Sequence, residues 1–210
     1  MSSSPALPNA NEISTLLQQS GYSYLQTDIA SSSIRKTKAD LQLDLNAIAK
    51  GFAVDQLAQA VAEYGYINYL VEIGGELRVS GSNANGEPWQ IGIEHPGDGD
   101  GIGGLALSSG GVATSGDYRN AFQFNGVRYS HIIDPRTGYP VTHTLASVTV
   151  VAKTAMLADA WTTALMVLGP AEGLQVAERH DLASYFILRD GQEFDVLISS
   201  AYKQLGLSAD

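Results

Sequence analysis

The strongest constraint on the fold of this sequence is a pair of amphipathic helix patterns with a run of short strands between them. The first predicts a helix over residues 44–64, ended by Gly65, because its apolar residues recur at i, i+3, i+4 and i+7: Val54, Leu57, Ala58 and Val61. The second predicts a helix over residues 154–168, ended by Gly169 and Pro170, with an apolar stripe of Leu157, Trp161, Ala164, Leu165 and Leu168. Each apolar face needs another layer to cover it.

Alternating apolar and polar residues around these helices predict strands separated by Gly, Asn and Asp turns. The predicted strands are residues 68–80, 88–94, 104–108, 123–133, 146–151, 184–188 and 194–198. A short helix is predicted over residues 12–22, a hairpin over 24–43, and a third helix after the Gly-Pro pair. This order indicates an α+β fold, a largely antiparallel sheet with packed helices. Residues 1–11 are expected to form a flexible lead and residues 12–210 a single domain.

Composition excludes several classes of function. The formal net charge of −10, from 12 basic and 22 acidic residues, argues against nucleic acid as a partner, because phosphate backbones attract clustered Lys and Arg. The absence of Cys excludes disulfides, thiolate nucleophiles and Cys-based zinc sites. No apolar run has the length of a transmembrane segment, and residues 1–11 lack the pattern of a signal peptide. An anionic ligand is still compatible with the charge if local donors or a divalent cation outweigh it.

Two glycine-containing stretches are candidates for more than a structural role. DLNAIAKG, residues 44–51, lies at the predicted start of the first helix, where unpaired N–H groups and a positive dipole end suit an anion. Lys50 would add a positive charge near the start of this helix. The alternative is that Asp44 caps the helix and the Lys50 side chain is solvated. In EIGGEL, residues 72–77, the paired glycines predict a β-bulge or a close backbone approach to a ligand.

The stretch VATSGDYR, residues 112–119, and the segment that follows it contain a candidate base. Its Thr, Ser and Asp side chains around a glycine are also typical of a simple turn. His131 is expected in an alternating strand, where a histidine is often a hydrogen-bonded structural group. It is nonetheless the best general base among the four histidines, because imidazole exchanges protons near neutral pH. Asp134 and Arg136 are interpreted as turn and support residues.

The last candidate is ADAWTTA, residues 158–164, within the second helix. Asp159 and Thr163 are four residues apart and share a helix face, expected to lie away from the apolar stripe. Carboxylate and hydroxyl oxygens are ligands that Mg²⁺ accepts. Two ligands are too few for a site, so an Asp–Thr contact within the helix is the alternative unless other oxygens converge.

Taken in this order, the candidate stretches resemble the ApbE family, the FAD:protein FMN transferases. The matching segments are DLNAIAKGFAVD at 44–55, IGG and RVSG within 73–81, ATSGDYR at 113–119, YSHIIDPRTGYP at 129–140 and ADAWTTA at 158–164. Members usually carry a further N-terminal portion that helps to hold the flavin and adenine. On that basis the chain is expected to be a fragment, a short relative with a partly open FAD site, or one part of an assembly.

The resemblance implies a T-fold-related core and a reaction. The FMN half of FAD is transferred to a Thr or Ser hydroxyl of an acceptor protein, a subunit of a respiratory or redox complex, and AMP is released in a step that requires Mg²⁺. Carried over by position, FAD contacts fall at Asp44, Lys50 and Ile132. The alternatives are a non-catalytic flavin- or partner-binding module with an incomplete pocket, and a Mg²⁺-dependent FAD pyrophosphatase.

The resemblance also implies a metal site and a base. By matching position, the backbone carbonyl of Ala47 and the side chains of Asp159 and Thr163 would hold Mg²⁺. The Ala47 carbonyl is then the third oxygen, and it comes from a different helix. His131 would take the proton of the acceptor hydroxyl. The family further implies a periplasmic location or the outer face of the inner membrane, although this sequence shows no lipoprotein cysteine.

Overall fold

The structure, a computed structural model, describes residues 9–97, 101–117, 121–124 and 127–205. Most of the predicted N-terminal lead lies outside the described residues, and so do the last two residues of VATSGDYR. The helices are α1 Ala10–Gln19, α2 Ala49–Glu63, α3 Ala155–Arg179 and α4 Ser200–Gln204. The strands are β1 Leu25–Asp28, β2 Ser33–Lys36, β3 Tyr69–Ile73, β4 Glu76–Ser80, β5 Trp89–Glu94, β6 Gly101–Leu107, β7 Ser109–Gly116, β8 Ala121–Phe124, β9 Val127–Ser130, β10 Ile133–Asp134, β11 Tyr139–Pro140, β12 Leu145–Ala152, β13 Ala183–Asp190 and β14 Glu193–Ile198.

A six-stranded antiparallel sheet forms the centre of the molecule, in the order β14-β13-β12-β7-β4-β3. One core cluster joins the sheet to the β5–β6 hairpin and α4, and its largest fully buried side chains are Tyr185 and Tyr202. A second cluster joins the sheet to α3 through residues such as Val148, Leu165 and Phe186. The strand register places Tyr185 and Phe186 on opposite faces of the sheet, so the sheet is buried on both sides. The predicted α+β class is confirmed.

Two strand predictions and the predicted β-bulge need correction here. Residues 68–80 are two strands, because β3 and β4 form a hairpin with Ile73 opposite Glu76. Gly74 and Gly75 have φ of 61° and 100°, the left-handed pair that a two-residue hairpin turn requires, so the predicted bulge is wrong. Strand β7 was not predicted, because its glycines and hydroxyl residues are typical of turns, yet it lies centrally between β12 and β4.

The helix predictions hold with shifted boundaries. α2 begins at Ala49 and not at residue 44, and Gly65 follows its C-terminus as predicted. Gly169, with φ 76° and ψ 179°, divides α3 into two helices at the predicted Gly-Pro break. Pro170 has no N–H to offer the Met166 carbonyl four residues earlier, and Nε2 of His143 lies 2.8 Å from that oxygen instead. None of the described helices has the length and apolarity needed to cross a bilayer.

Candidate functional site

A cleft of about 950 Å³ lies between the turn before α2, the β3–β4 hairpin, β7, the segment after β9, and α3. Its lining residues come from parts of the chain that are more than a hundred positions apart. All the site residues predicted from the sequence line this cleft: Asp44, Ala47, Lys50, His131, Ile132, Asp159 and Thr163. The fold therefore brings together residues whose proximity the sequence alone did not establish.

The junction of α2 and α3 forms the closed end of the cleft. Gly51 lies where the two helices meet, and a Cβ at this position would lie 2.5 Å from the Ala155 carbonyl oxygen. Only glycine permits this approach. Oδ2 of Asp159, a side chain that is 3% exposed, accepts a hydrogen bond of 3.0 Å from the Gly51 N–H. The positive end of α2 therefore faces a buried carboxylate.

The same contact explains why the Ala47 carbonyl is available as a ligand. In a continued helix the N–H of Gly51 would bond the carbonyl four residues earlier, which is that of Ala47. That N–H donates to Asp159, and no backbone N–H of the described chain donates to the Ala47 carbonyl. Thr163 follows Asp159 by one turn on α3, so a carbonyl oxygen from the turn before α2 and carboxylate and hydroxyl oxygens from α3 line one cleft.

The apolar stripe predicted for α3 is only partly correct. Leu157 is 42% exposed, whereas Asp159 and Thr162 lie on the buried face of the helix. Thr162 is satisfied there because its hydroxyl donates to the Asp159 carbonyl and accepts from the Ser115 hydroxyl. The face with Asp159 therefore points into the protein, toward α2 and the cleft, and this burial is what the helical periodicity did not predict.

Glu76 is a cleft residue that the sequence analysis did not select. It begins β4 directly after the paired glycines, and its side chain is 2% exposed. Its Oε1 lies 2.5 Å from Nζ of Lys50, and its buried Oε2 has no hydrogen-bond partner among the described residues. Its position after the glycines in EIGGEL was the available signal. Lys50 is thus not simply solvated, although its side chain is 48% exposed.

Two buried carboxylates share one lysine at this end of the cleft. Burial raises the pKa of Asp159, against the opposing effects of the Gly51 N–H and the Lys50 charge. Burial also raises the pKa of Glu76, opposed by Lys50 and reinforced by the charge of Asp159. With both acids ionised the cluster has a net negative charge, which favours a cation. Within the described ranges no three His, Cys, Asp or Glu side chains cluster as ligands, so neutral oxygens would complete the shell.

A second wall of the cleft, formed by the segment after β9, carries His131. The predicted strand position is wrong, because β9 ends at Ser130 and His131 lies exposed in the bend that follows. Nothing in the described part of the chain hydrogen-bonds its ring. The next residue is better held, since the Ile132 N–H donates to the Ser130 hydroxyl and the Ile132 carbonyl accepts from Val141 N–H.

The turn that contains Asp134 and Arg136 follows this segment and connects it to α3. The Asp134 carboxylate accepts hydrogen bonds from the backbone and guanidinium of Arg136, and these bonds lower the pKa of Asp134. Arg136 also donates to Glu172 of α3 at 3.0 Å. Asp134 and Arg136 therefore have the turn and support geometry that the sequence predicted.

Asp44 lies at the rim of the cleft but does not cap α2. The N-cap of α2 is Ile48, whose side chain makes no capping bond, and Asp44 precedes it by four residues. Oδ1 of Asp44 instead accepts from the Asn46 N–H at 2.8 Å, which forms a local turn. The capping alternative is therefore wrong, and Asp44 remains exposed beside the cleft.

This architecture defines an α+β protein with a cleft that is lined by oxygen atoms, two of them belonging to buried carboxylates at a helix junction, and by an exposed histidine. The chain belongs to the ApbE family, whose profile matches residues 1–186. It is 46% identical over 184 residues to a protein of Haemophilus influenzae named FAD:protein FMN transferase, and 40% identical over 196 residues to the Escherichia coli K12 protein of the same name. These alignments cover 86% and 92% of this chain and 53% of each relative.

Solved structures show the same likeness in the fold. The apo flavinyl transferase ApbE of Pseudomonas stutzeri superposes with a TM-score of 0.85 at 43% identity, over 95% of this chain and 62% of that one. The flavin transferase ApbE of Vibrio cholerae gives a TM-score of 0.85 at 38% identity, over 97% and 64%. The chain spans about half the length of the curated relatives it matches.

Proposed function

We propose that this chain forms the core of a Mg²⁺-dependent flavin transferase. It would transfer the FMN half of FAD to a Thr or Ser hydroxyl of an acceptor protein and release AMP. The observation that carries the proposal is the convergence on one cleft of an oxygen donor set, a lysine and an exposed histidine. The names of the relatives support the flavin chemistry, since they specify FAD, FMN and a protein acceptor.

The donor set fits a hard divalent cation. Asp159 supplies a buried carboxylate, and Ala47 and Thr163 would add a carbonyl and a hydroxyl oxygen. The cluster has two buried carboxylates and one lysine, so a cation would neutralise the negative charge that it carries when both acids are ionised. When bound, Mg²⁺ supplies Lewis acidity and charge neutralisation at the pyrophosphate.

The remaining steps belong to the side chains of the chain itself. The acceptor hydroxyl oxygen bonds to the phosphorus of the FMN half, and the bond from that phosphorus to the bridging oxygen breaks. AMP leaves with that oxygen and its electron pair, and the proton of the acceptor passes to the imidazole of His131. Lys50 donates to phosphate oxygens at the closed end, where the charge of the leaving group develops.

The exposure of His131 suits an acceptor that is itself a protein. A base that serves a macromolecular substrate has to be reachable from outside, and His131 is exposed at the open wall while Asp159 is buried at the closed one. By the same family reasoning, the acceptor is a redox-complex subunit and the reaction takes place on the periplasmic side. Fractionation of cells that express the full gene tests the location.

The direct test combines the chain with FAD, Mg²⁺ and an acceptor domain that carries a flavinylation threonine. The expected result is a fluorescent covalent adduct on the acceptor together with one AMP per flavin transferred. AMP and FMN without any acceptor would instead indicate a pyrophosphatase. Tight FAD binding with no AMP in the presence of acceptor would indicate a non-catalytic module. The matched control is an acceptor with the threonine changed to valine, which removes only the nucleophile.

A further inference from the structure

Glu76 is the most buried charged side chain among the described residues, and the reaction above gives it no role. A buried acid with an unpaired oxygen is costly, and an apolar residue of similar size would generally make a more stable core. Its Oε2 is such an oxygen, and the residue lines the cleft directly. A feature with this cost at the edge of a site calls for a functional explanation.

The local geometry connects Glu76 to Lys50. The two charged atoms lie 2.5 Å apart, although Lys50 is on α2 and Glu76 is on β4. The stem of Lys50 passes over the β3–β4 turn, where its Cδ lies 3.7 Å from the position that a Cβ on Gly74 would take. The turn and the carboxylate together form a cradle around one lysine, between the helix junction and the hairpin.

Without this cradle Lys50 would be a flexible cation. Its side chain is 48% exposed, and a free lysine has to lose several rotatable degrees of freedom when it pairs with a phosphate. A carboxylate that already fixes the ammonium group removes most of that loss before the ligand arrives. The charge of Asp159 acts on both Lys50 and Glu76, so the lysine interacts with a second buried acid as well.

We propose that Glu76 is a positioning residue that holds the Lys50 ammonium group at the closed end of the cleft, in place to meet the pyrophosphate of a dinucleotide. The identity of the ligand rests on the proposed function. The ordering of Lys50 does not, because it is a property of the ligand-free protein. The two parts can therefore fail separately.

The first experiment needs no ligand. Glu76→Gln and Glu76→Met both remove the charge, but only Gln keeps an oxygen that can accept from Lys50. Amine reagents need the lysine nitrogen free, so Lys50 labelling, measured by mass spectrometry against Lys203, reports how firmly it is held. We expect labelling of Lys50 to rise about tenfold in Glu76→Met and about threefold in Glu76→Gln. Equal rates in the wild type and Glu76→Met would overturn the proposal, whatever the protein binds.

The second experiment is a double-mutant cycle on FAD affinity in the presence of Mg²⁺. Glu76→Met should bind FAD about fivefold more weakly than Glu76→Gln, and this difference should vanish in a Lys50→Met background. The same difference with and without Lys50 would show that Glu76 does not act through Lys50 and would overturn the proposal. Faster Lys50 labelling combined with no FAD binding by the wild type would support the positioning of Lys50 and contradict the proposed function.

A stability measurement controls for misfolding of the variants. Lys50→Met alone leaves Glu76 buried without its counter-charge and should lower the thermal midpoint. Adding Glu76→Gln should restore it, because the uncompensated charge is then removed. Loss of that rescue would contradict the pairing itself.

Discussion

The two walls of the cleft are built in opposite ways. The closed wall, at the junction of α2, α3 and the β3–β4 hairpin, carries two buried carboxylates that pair with other elements, Asp159 with Gly51 and Glu76 with Lys50. The open wall, after β9, carries an exposed His131 on a bend that is held from behind by Arg136. The closed wall fixes charge before a ligand binds, whereas the open wall leaves its reactive group accessible.

This difference matches the two demands of the proposed reaction. Holding a pyrophosphate and a cation requires rigid, preorganised groups in a water-poor environment. Accepting a proton from another protein requires a group that the partner can reach. Substitutions at the closed wall should therefore alter binding, stability and metal-dependent transfer, whereas those at the open wall should alter the rate of transfer with little change in binding.

The largest expected effect is at the closed wall. Asp159→Ala removes the only carboxylate of the proposed ligand set, and we expect FMN transfer to fall about a thousandfold with the loss of its Mg²⁺ dependence. Transfer rates across a Mg²⁺ titration measure both effects. Circular dichroism checks that the variant folds. Unchanged transfer at saturating FAD and Mg²⁺ would remove Asp159 from the metal site.

The next effect tests the open wall. His131→Gln should lower the transfer rate about a hundredfold, the usual contribution of a general base, while FAD affinity stays within about twofold of the wild type. Single-turnover rates and calorimetric FAD binding separate the two quantities. If the variant loses affinity and rate together, His131 belongs to the binding wall and the division between the walls is wrong.

Gly51→Ala tests how tightly the closed wall is built. The added Cβ meets backbone atoms of Ala155 that cannot move independently, so the free energy of unfolding should fall by about 2 to 3 kcal/mol. Gly104→Ala is the matched control, because its Cβ would meet only an ordinary contact at 3.7 Å. Urea unfolding compares the two variants, and equal losses would show that the helix junction is not specially close.

The charge of the closed wall gives a smaller, pH-dependent effect. Because burial raises the pKa of Asp159, its contribution to stability is fully present below the ordinary value of 3.8 and is lost as the pH rises through the raised pKa. Asp159→Asn keeps an acceptor for Gly51 and should be more stable than the metal-free wild type at neutral pH by about 1 kcal/mol. Thermal unfolding between pH 4 and 7, in steps of about one unit, should show the difference in stability between Asp159→Asn and the wild type become smaller as the pH falls. A constant difference would refute the assignment.

The smallest effect is expected behind the open wall. Arg136 is exposed to solvent, so its ion pairs with Asp134 and Glu172 should contribute little to the stability of the fold. Arg136→Ala should slow transfer by about threefold, because the bend that presents His131 is less well held. A loss as large as that of His131→Gln would mean that Arg136 contacts the substrates directly.

Sequence reasoning was most successful where a signal is local. The helical periodicities, the turn glycines at Gly65 and Gly169 and the alternating strands of the C-terminal hairpin all follow from nearest neighbours along the chain. It failed at β7, whose small and hydroxyl residues are typical of turns and become a central strand only because β4 and β12 pair with it. Tertiary pairing overrides local preference there.

The candidate site was predictable as a set of residues but not as a geometry. Every site residue that the ordered motifs predicted does line the cleft. The periodicity of α3, however, gave no indication that Asp159 is buried. Glu76 was passed over because its significance depends on Lys50, which is 26 positions away in sequence and becomes a neighbour only through the fold. Long-range contacts of this kind have no local sequence signal.

The most direct test of the central claim is the position of the cation itself. Crystals of the chain grown with FAD and Mn²⁺ in place of Mg²⁺ would give an anomalous signal for the metal. We expect a peak about 2.0 to 2.3 Å from the Ala47 carbonyl, the Asp159 carboxylate and the Thr163 hydroxyl. A peak elsewhere in the cleft, or bound FAD with no metal at these oxygens, would contradict the account.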